Sequence, residues 1–279
     1  MWDCQHHFLT LAGREIHVRE WGAVDGAPII LWHGLARTGA DFGPLAAALA
    51  DKYRIIAPDT LGRGLSQWAQ DAKQEYCLEF YGRIATALLD HFECRTVRWL
   101  GTSMGGALGM RLAATSLKDR ITHLAINDIG PELPKVAIDR ILAYASRPPV
   151  LETIGALEKM LRTVYEPFGP ISDPEWKMMA MTSARRLADG KVTLHYDPRM
   201  TEQFIHHPKD YLQWDLWEEL DLPIMVLRGE KSDLLTGAIL DRMLQSRPRL
   251  RLLRDPTCGH APALNVPYQI DPILDFIAS

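Results

Sequence analysis

Short apolar runs alternate with stretches of helical periodicity along most of this chain, and this alternation constrains the fold more than any other feature. The runs at 29–32, 53–57 and 97–100 have the length and composition of strands that are buried on both faces. The stretches 75–92 and 104–114 repeat apolar side chains every three or four residues, as amphipathic helices do. Strands that alternate with helices require right-handed crossovers, so the sequence predicts an α/β fold with a doubly wound, mostly parallel sheet.

The remaining elements follow from the same two periodicities. A glycine–arginine break at 13–14 predicts a hairpin between the first two strands. The patterns predict strands over 8–12, 15–21, 29–32, 53–57, 97–100, 121–126, 223–227 and 250–253. They predict helices over 42–49, 75–92, 104–114, 237–244 and 268–277.

One long segment breaks the alternation. Between 131 and 214 no strand-like run occurs, and helical patterns cover 136–144, 154–165 and 174–187. We therefore predict a helical cap insertion at 131–214, within a core domain that comprises 1–130 and 215–279.

Charge and composition exclude several classes of partner. The chain has 31 Lys and Arg against 35 Asp and Glu, a net charge of −4 that gives no electrostatic basis for binding nucleic acid or an anionic membrane. No apolar run reaches the roughly 18 residues that a transmembrane helix needs. The first residues lack the basic and apolar regions of a signal peptide, so we expect a cytoplasmic protein. A small-molecule substrate is the expected partner, and the sequence leaves a homodimer open.

No pattern in the sequence indicates a bound cofactor or metal. The four cysteines lie far apart without a C-x-x-C spacing, which is typical of reduced thiols rather than of a disulfide framework or a zinc ribbon. No glycine-rich phosphate loop follows a predicted strand, and no H-E-x-x-H motif occurs. We therefore expect chemistry without a cofactor.

The segment 99–106 contains a G-x-S-x-G motif centred on Ser103, with a strand-like run before it and a helix-like run after it. In this context the serine stands on a sharp turn, and the small residues Gly101 and Gly105 relieve crowding around it. The hydroxyl of Ser103 would then project above the sheet at a helix N-terminus, where the helix dipole favours developing negative charge. Ser103 is the candidate nucleophile, and a glycine-rich structural turn is the alternative.

A serine nucleophile needs a base and a carboxylate that orients this base. Of the ten histidines, His260 follows the last predicted strand and lies at the carboxyl edge of the sheet, where open α/β sheets bind ligands. Asp233 follows the strand predicted at 223–227 and reaches the same edge. We therefore predict Asp233 as the acid, with Asp128 and, more weakly, Glu230 as alternatives.

Two backbone N–H groups are candidates for stabilising an oxyanion. One belongs to Met104, directly after the serine, and the other to Leu35, in the loop after the strand predicted at 29–32. His33, in the same loop, is expected to support the loop through hydrogen bonds rather than to act as a base.

These motifs together resemble the α/β-hydrolase fold superfamily, in its cap-bearing serine hydrolase and esterase branch. The matching features are His33-Gly34-Leu35, Asp59-x-x-Gly62-x-Gly64-x-Ser66, Gly101-x-Ser103-x-Gly105, Asp233 and Gly259-His260. The chain order Ser103, Asp233, His260 is also that of the family. The resemblance implies that the loop 59–66 is structural and that the insertion is a lid over the active site.

Departures from the family's branches narrow the chemistry that the resemblance implies. Ser103 stands where dehalogenase-like and epoxide-hydrolase-like members carry aspartate. Ala261 follows the histidine where carbon–carbon bond hydrolases often have tryptophan. Leu35 replaces the aromatic residue that is usual in haloperoxidase-like members.

The expected function is hydrolysis of a carboxylic ester, or of a lactone or thioester, through an acyl-enzyme. A carbon–carbon bond hydrolase, an acyltransferase and a non-catalytic binding protein of the same fold remain alternatives. We expect a small, neutral and largely apolar substrate, because the insertion contains five of the ten methionines and methionine suits adaptable apolar surfaces. The one basic pair in the insertion, Arg185-Arg186, consists of adjacent residues that do not share a helix face, so it does not form a clamp for an anionic substrate.

Overall fold

A mixed eight-stranded sheet forms the centre of the protein in a computed structural model that describes residues 3–279. The strands lie in the order β1-β2-β4-β3-β5-β6-β9-β10, and every neighbouring pair from β4 to β10 is parallel, whereas β1 and β2 are antiparallel to their neighbours. The strands are β1 (Gln5–Leu11), β2 (Arg14–Trp21), β3 (Ala27–Trp32), β4 (Tyr53–Pro58), β5 (Val97–Thr102), β6 (Ile121–Asn127), β7 (Ala184–Arg186), β8 (Val192–Leu194), β9 (Ile224–Gly229) and β10 (Arg251–Asp255).

Helices cover both faces of this sheet and make up much of the insertion. They are α1 (Gly43–Leu49), α2 (Ala72–Glu75), α3 (Leu78–His91), α4 (Met104–Ala114), α5 (Lys135–Ala145), α6 (Ile154–Val164), α7 (Asp173–Ser183), α8 (Gln203–His206), α9 (Trp214–Glu219), α10 (Gly237–Ser246) and α11 (Pro267–Ile277). Short 3₁₀ helices occupy Gly39–Phe42, Glu166–Phe168 and Pro198–Glu202. The predicted fold class, a doubly wound and mostly parallel α/β sheet, is confirmed.

The central strands are buried on both faces, as their continuous apolar sequences predict. Ile30 and Trp32 of β3 pack into the larger core cluster, on the face covered by α3 and α4. Ile29 and Leu31 alternate with them and pack into the second cluster, on the face of α1 and α11. Two buried faces allow no register slip in these strands, because a shift of one residue would exchange the two apolar sets.

The eight predicted strands all occur, whereas one helix begins later than its periodicity indicates. Glu75 instead ends the short helix α2, whose start is capped by Asp71 through hydrogen bonds accepted from the Lys73 and Gln74 N–H groups. The backbone then leaves the helical conformation, and Cys77 takes an extended conformation as the N-cap of α3, where its sulfur accepts the Phe80 N–H.

The insertion also contains a small sheet that the sequence patterns do not reveal. The helix predicted over 174–187 ends at Ser183, and the next three residues form β7, which pairs antiparallel with β8 across a turn at Gly190. Gly190 has a φ of +84°, which glycine adopts without strain. Strands of three residues are too short to show a period of two, which explains why the pattern is missed. The division into a core domain (1–130 and 215–279) and a cap (131–214) stays a prediction.

Candidate active site

Ser103 occupies a strained turn between β5 and α4. Its backbone has a φ of +53° and a ψ of −117°, a conformation that non-glycine residues rarely adopt and that is typical of functional sites. The flanking glycines are required by space, because a Cβ atom on Gly101 would overlap the backbone of Gly105, and one on Gly105 would overlap the Trp32 carbonyl. The turn therefore has the geometry that the G-x-S-x-G motif predicts.

A continuous line of hydrogen bonds joins Ser103, His260 and Asp128. The Ser103 Oγ lies 2.9 Å from His260 Nε2, and His260 Nδ1 lies 2.8 Å from Asp128 Oδ2. Because a carboxylate only accepts hydrogen bonds, Nδ1 carries the proton and Nε2 is free to accept the serine hydroxyl. This is the arrangement in which an imidazole takes a proton from a serine.

Asp128 is fully buried and is held by three donors. Besides His260, the Gly229 N–H donates to its Oδ1 at 2.8 Å, and the Ser232 hydroxyl donates to its Oδ2 at 2.5 Å. Its φ of +58° turns the side chain sharply at the end of β6. These contacts satisfy the buried carboxylate and fix its orientation toward the histidine.

The prediction that Asp233 orients His260 is wrong in this structure. Asp233 forms a bidentate ion pair with Arg140, with distances of 2.7 and 2.9 Å, and its side chain is 49% exposed. The loop after β9 instead directs Ser232, one residue earlier, toward Asp128. The weaker alternative, Glu230, pairs with Arg228 and Arg254 rather than with the histidine.

Asn127 joins the three segments that carry these residues, and the sequence analysis did not single it out. Its fully buried side-chain amide donates to the Thr102 Oγ1 at 3.1 Å and to the Pro262 carbonyl at 2.9 Å. Its own carbonyl accepts the Ser103 N–H at 2.8 Å. The signal in the sequence is a polar residue that directly follows the apolar run of β6.

The predicted oxyanion loop lies against Ser103. A Cβ atom on Gly34 would be 3.4 Å from the Ser103 Cβ, and neither the Leu35 nor the Met104 N–H donates to a protein group within residues 3–279. Their role in binding an oxyanion stays a prediction.

His33 supports this loop through both ring nitrogens. The Thr60 N–H donates to Nε2 at 2.8 Å, so Nδ1 carries the proton and donates to the Gly34 carbonyl at 2.6 Å. Since the peptide group is planar, a fixed Gly34 carbonyl also fixes the direction of the Leu35 N–H. Burial lowers the pKa of His33 to about 4, so the ring is neutral at pH 7.

Arg63 holds the same loop from the opposite side. It is fully buried and donates to the Leu35 carbonyl at 2.8 Å, to the Leu61 carbonyl at 2.7 Å and to the Tyr81 hydroxyl at 2.8 Å. It lies in the loop 59–66, where Asp59 forms buried hydrogen bonds with His17 and Arg19.

A model of the alpha/beta hydrolase family matches residues 29–269. The chain belongs to the alpha/beta hydrolase family.

Three relatives show how far the likeness extends. A 3-hydroxybutyrate-oligomer hydrolase from Cupriavidus necator is 33% identical over 261 residues, which cover 90% of this chain and 88% of the relative. A 2-(acetamidomethylene)succinate hydrolase from Mesorhizobium japonicum is 26% identical, and the match covers 88% of this chain and 84% of the relative. An alpha/beta hydrolase from Novosphingobium aromaticivorans, known from a crystal structure, is 29% identical in sequence. The two structures match with a TM-score of 0.86 over 100% of this chain and 99% of the other.

In this alpha/beta hydrolase, Ser103 and His260 open into a cavity of about 700 Å³ between the insertion and the carboxyl edge of the sheet. Most of the side chains that line it are apolar or aromatic, among them Phe42, Ile141, Tyr144, Tyr165, Phe168, Met178, Met179 and Leu264. Such a cavity has the size and character of a site for a small organic molecule.

Only some of the residues on which the expected substrate was based line the cavity. Met178 and Met179 line it, whereas Met160, Met181 and Met200 do not. The basic pair lies elsewhere, because Arg185 stacks on Trp68 and Arg186 donates to the Gly190 carbonyl. A cation that the sequence analysis did not consider, Arg140, lines the cavity instead.

No group of three or more His, Cys, Asp or Glu side chains within residues 3–279 has a spacing that could hold a metal ion. Within the same residues, no helix has the length and apolar content needed to cross a membrane.

Proposed function

We propose that this alpha/beta hydrolase cleaves a carboxylic ester through an acyl-enzyme, with Ser103 as nucleophile, His260 as base and Asp128 as the orienting acid. The observation that carries the proposal is the hydrogen-bonded line from Ser103 through His260 to Asp128, which opens into a largely apolar cavity. A positioned serine, imidazole and buried carboxylate is the arrangement that supports acyl transfer on several unrelated folds.

The proposed reaction uses each of these groups in turn. His260 Nε2 accepts the Ser103 proton as Oγ attacks the ester carbonyl, and Asp128 stabilises the resulting imidazolium. The N–H groups of Leu35 and Met104 bind the negative oxygen of the tetrahedral intermediate. The imidazolium then protonates the leaving alcohol, and a water molecule activated by His260 releases the acid from the acyl-enzyme.

We propose ester dimers and oligomers of short hydroxy acids as the first substrates to test. The relative from Cupriavidus necator is named for the hydrolysis of 3-hydroxybutyrate oligomers and matches this chain along most of its length. Such a molecule is a largely apolar chain with repeated ester groups and one free carboxylate. An apolar cavity of about 700 Å³ has the size of a site for a small organic molecule of this kind. In this proposal residues 131–214 act as the lid over the substrate.

The experiment combines the nucleophile variant with a direct probe of serine reactivity. We expect Ser103→Ala to fold normally and to lower kcat for 4-nitrophenyl butyrate by a factor on the order of 10⁴ to 10⁶, as loss of a triad member does in other enzymes. A fluorophosphonate probe should label the wild type and leave this variant unlabelled. Retention of more than about a tenth of the activity would contradict the assignment of Ser103.

A further inference from the structure

Arg140 lines the cavity from the insertion, and its carboxylate partner lies on the core. It belongs to α5, whereas Asp233 belongs to the loop between β9 and α10, and both side chains contribute to the cavity wall. Nε and Nη2 of Arg140 donate to the two carboxylate oxygens of Asp233 at 2.7 and 2.9 Å. The Arg140 guanidinium therefore already has the planar, two-bond contact that it would make with a substrate carboxylate.

The ion pair between Arg140 and Asp233 is easily exchanged. The two side chains are 47% and 49% exposed, and ion pairs at such positions contribute little to stability because water and salt screen them. Asp233 accepts no other side-chain hydrogen bond within residues 3–279. A carboxylate on a substrate bound in the cavity can therefore take the place of Asp233 at a small energetic cost.

The other Arg and Lys side chains that line the cavity, Arg37 and Lys231, are less suited to this exchange. Arg37 is buried and is held by a bidentate contact to Asp41 and by the Ser183 hydroxyl. Lys231 donates to the Thr257 carbonyl and offers a single point of charge rather than a planar fork. Arg140 is thus the cavity-lining cation whose geometry and exposure fit an incoming carboxylate.

We propose that Arg140 binds the free carboxylate of an acidic ester substrate, and that Asp233 occupies this position in the empty enzyme. This inference rests on the proposed ester hydrolysis and assigns the end group that the substrate carries. It changes the substrate expected from the sequence, a neutral apolar ester, into a largely apolar chain that ends in a carboxylate. Tyr144, one helical turn after Arg140, also lines the cavity and provides apolar surface next to the charge.

The experiment uses two esters that differ only in charge, 3-(butanoyloxy)butanoate and its neutral amide, 3-(butanoyloxy)butanamide. We expect the wild type to prefer the carboxylate, and Arg140→Met to lower the ratio of kcat/KM for carboxylate over amide by at least about tenfold, because a charge-assisted bidentate contact is lost. Lys135→Met is the matched control, since it removes a positive charge from an exposed position on the same helix, outside the cavity lining. This control should leave the ratio unchanged.

Asp233→Asn provides the opposite change. It removes the competing carboxylate and should raise the ratio of kcat/KM for carboxylate over amide. Arg140→Lys keeps the positive charge without the planar guanidinium, so its ratio should lie between those of the wild type and Arg140→Met. The inference is overturned if the ratio responds equally to Arg140→Met and Lys135→Met, or if Asp233→Asn lowers it. Hydrolysis of both esters with a ratio that is insensitive to Arg140 would overturn this inference alone, whereas a folded wild type that hydrolyses neither ester would overturn the proposed function with it.

Discussion

At the scale of single residues, Asp128 and Asp233 follow neighbouring strands but differ in what they contact. Only Asp128 reaches the imidazole of His260. We expect Asp128→Asn to lower kcat for a neutral ester by a factor on the order of 10⁴, because an amide stabilises neither the required tautomer nor the imidazolium. Asp233→Asn should change the same kcat less than about threefold, since its pair with Arg140 is exposed.

Steady-state kinetics on 4-nitrophenyl butyrate for both variants will measure this difference. Circular dichroism of each variant checks that the fold is intact. If Asp233→Asn proves the more damaging substitution, then the acid lies after β9, and the contact of His260 with Asp128 does not describe the working enzyme.

The sequence alone could bring Ser103 and His260 together but could not identify the carboxylate that contacts His260. Ser103 follows from its motif, and His260 from its position after the last strand. Asp128 and Asp233 both stand at the carboxyl edge of the sheet, so their spacing along the chain does not distinguish them. The distinction depends on the positive φ of Asp128 and on a loop that turns Ser232 inward, and no periodic pattern encodes either feature.

At the scale of secondary-structure elements, the hydrogen bonds of Asn127 connect the end of β5, the end of β6 and the loop that carries His260. We expect Asn127→Leu to lower kcat by a factor on the order of a hundred with little change in KM, because a displacement of about 1 Å between reacting groups has this cost. Thr102→Val removes only one of the two side-chain contacts and should have a smaller effect.

Measuring kcat, KM and the melting temperature together separates positioning from stability. A positioning role requires kcat to fall in the order wild type, Thr102→Val, Asn127→Leu. A lower melting temperature with an unchanged kcat would mean that Asn127 stabilises the fold without orienting the reacting groups.

The elements themselves were largely predictable, and the exceptions have physical causes. The central strands β3, β4, β5, β6 and β9 follow from their apolar runs, because strands covered on both faces need continuous apolar sequences. The more exposed strand β1 follows instead from the hairpin break at Gly13-Arg14. The β7–β8 pair is too short to be periodic, and its position depends on contacts outside the pair, such as the two backbone hydrogen bonds between Leu151 and Val192. Arg140 was missed because its place on the cavity wall depends on how α5 lies against the core.

At the scale of the whole molecule, buried histidines make stability depend on pH. The Gly64 N–H donates to Nδ1 of His195, and burial together with nearby Arg37 lowers the pKa of this histidine to about 3. In the unfolded chain it titrates near 6.5, so below that pH the unfolded state binds the additional proton. The stability that neutral His195 provides is complete above about pH 6.5 and is lost as the pH falls toward 3.

We therefore expect the free energy of unfolding to decrease by up to about 1.4 kcal/mol per pH unit for this histidine between pH 6.5 and 5. His33 adds a similar contribution, because its pKa is also lowered, to about 4. His195→Asn keeps an acceptor for Gly64 without a titrating group and should reduce the slope. Urea unfolding at several pH values measures both slopes, and equal slopes in the wild type and the variant would rule out His195 as the source.

The positions of Ser103 and Asp128 on the sheet have an evolutionary consequence. Each directly follows one member of the paired residues Thr102 and Asn127, on the adjacent parallel strands β5 and β6. Their separation is therefore set by the spacing of about 4.8 Å between neighbouring strands rather than by loop conformation. Mutations in residues 131–214 and in the loop after Ser232 can alter which molecules enter the cavity while Ser103 and Asp128 keep their separation, so descendants of this protein can acquire new substrates without rebuilding the proposed catalytic centre.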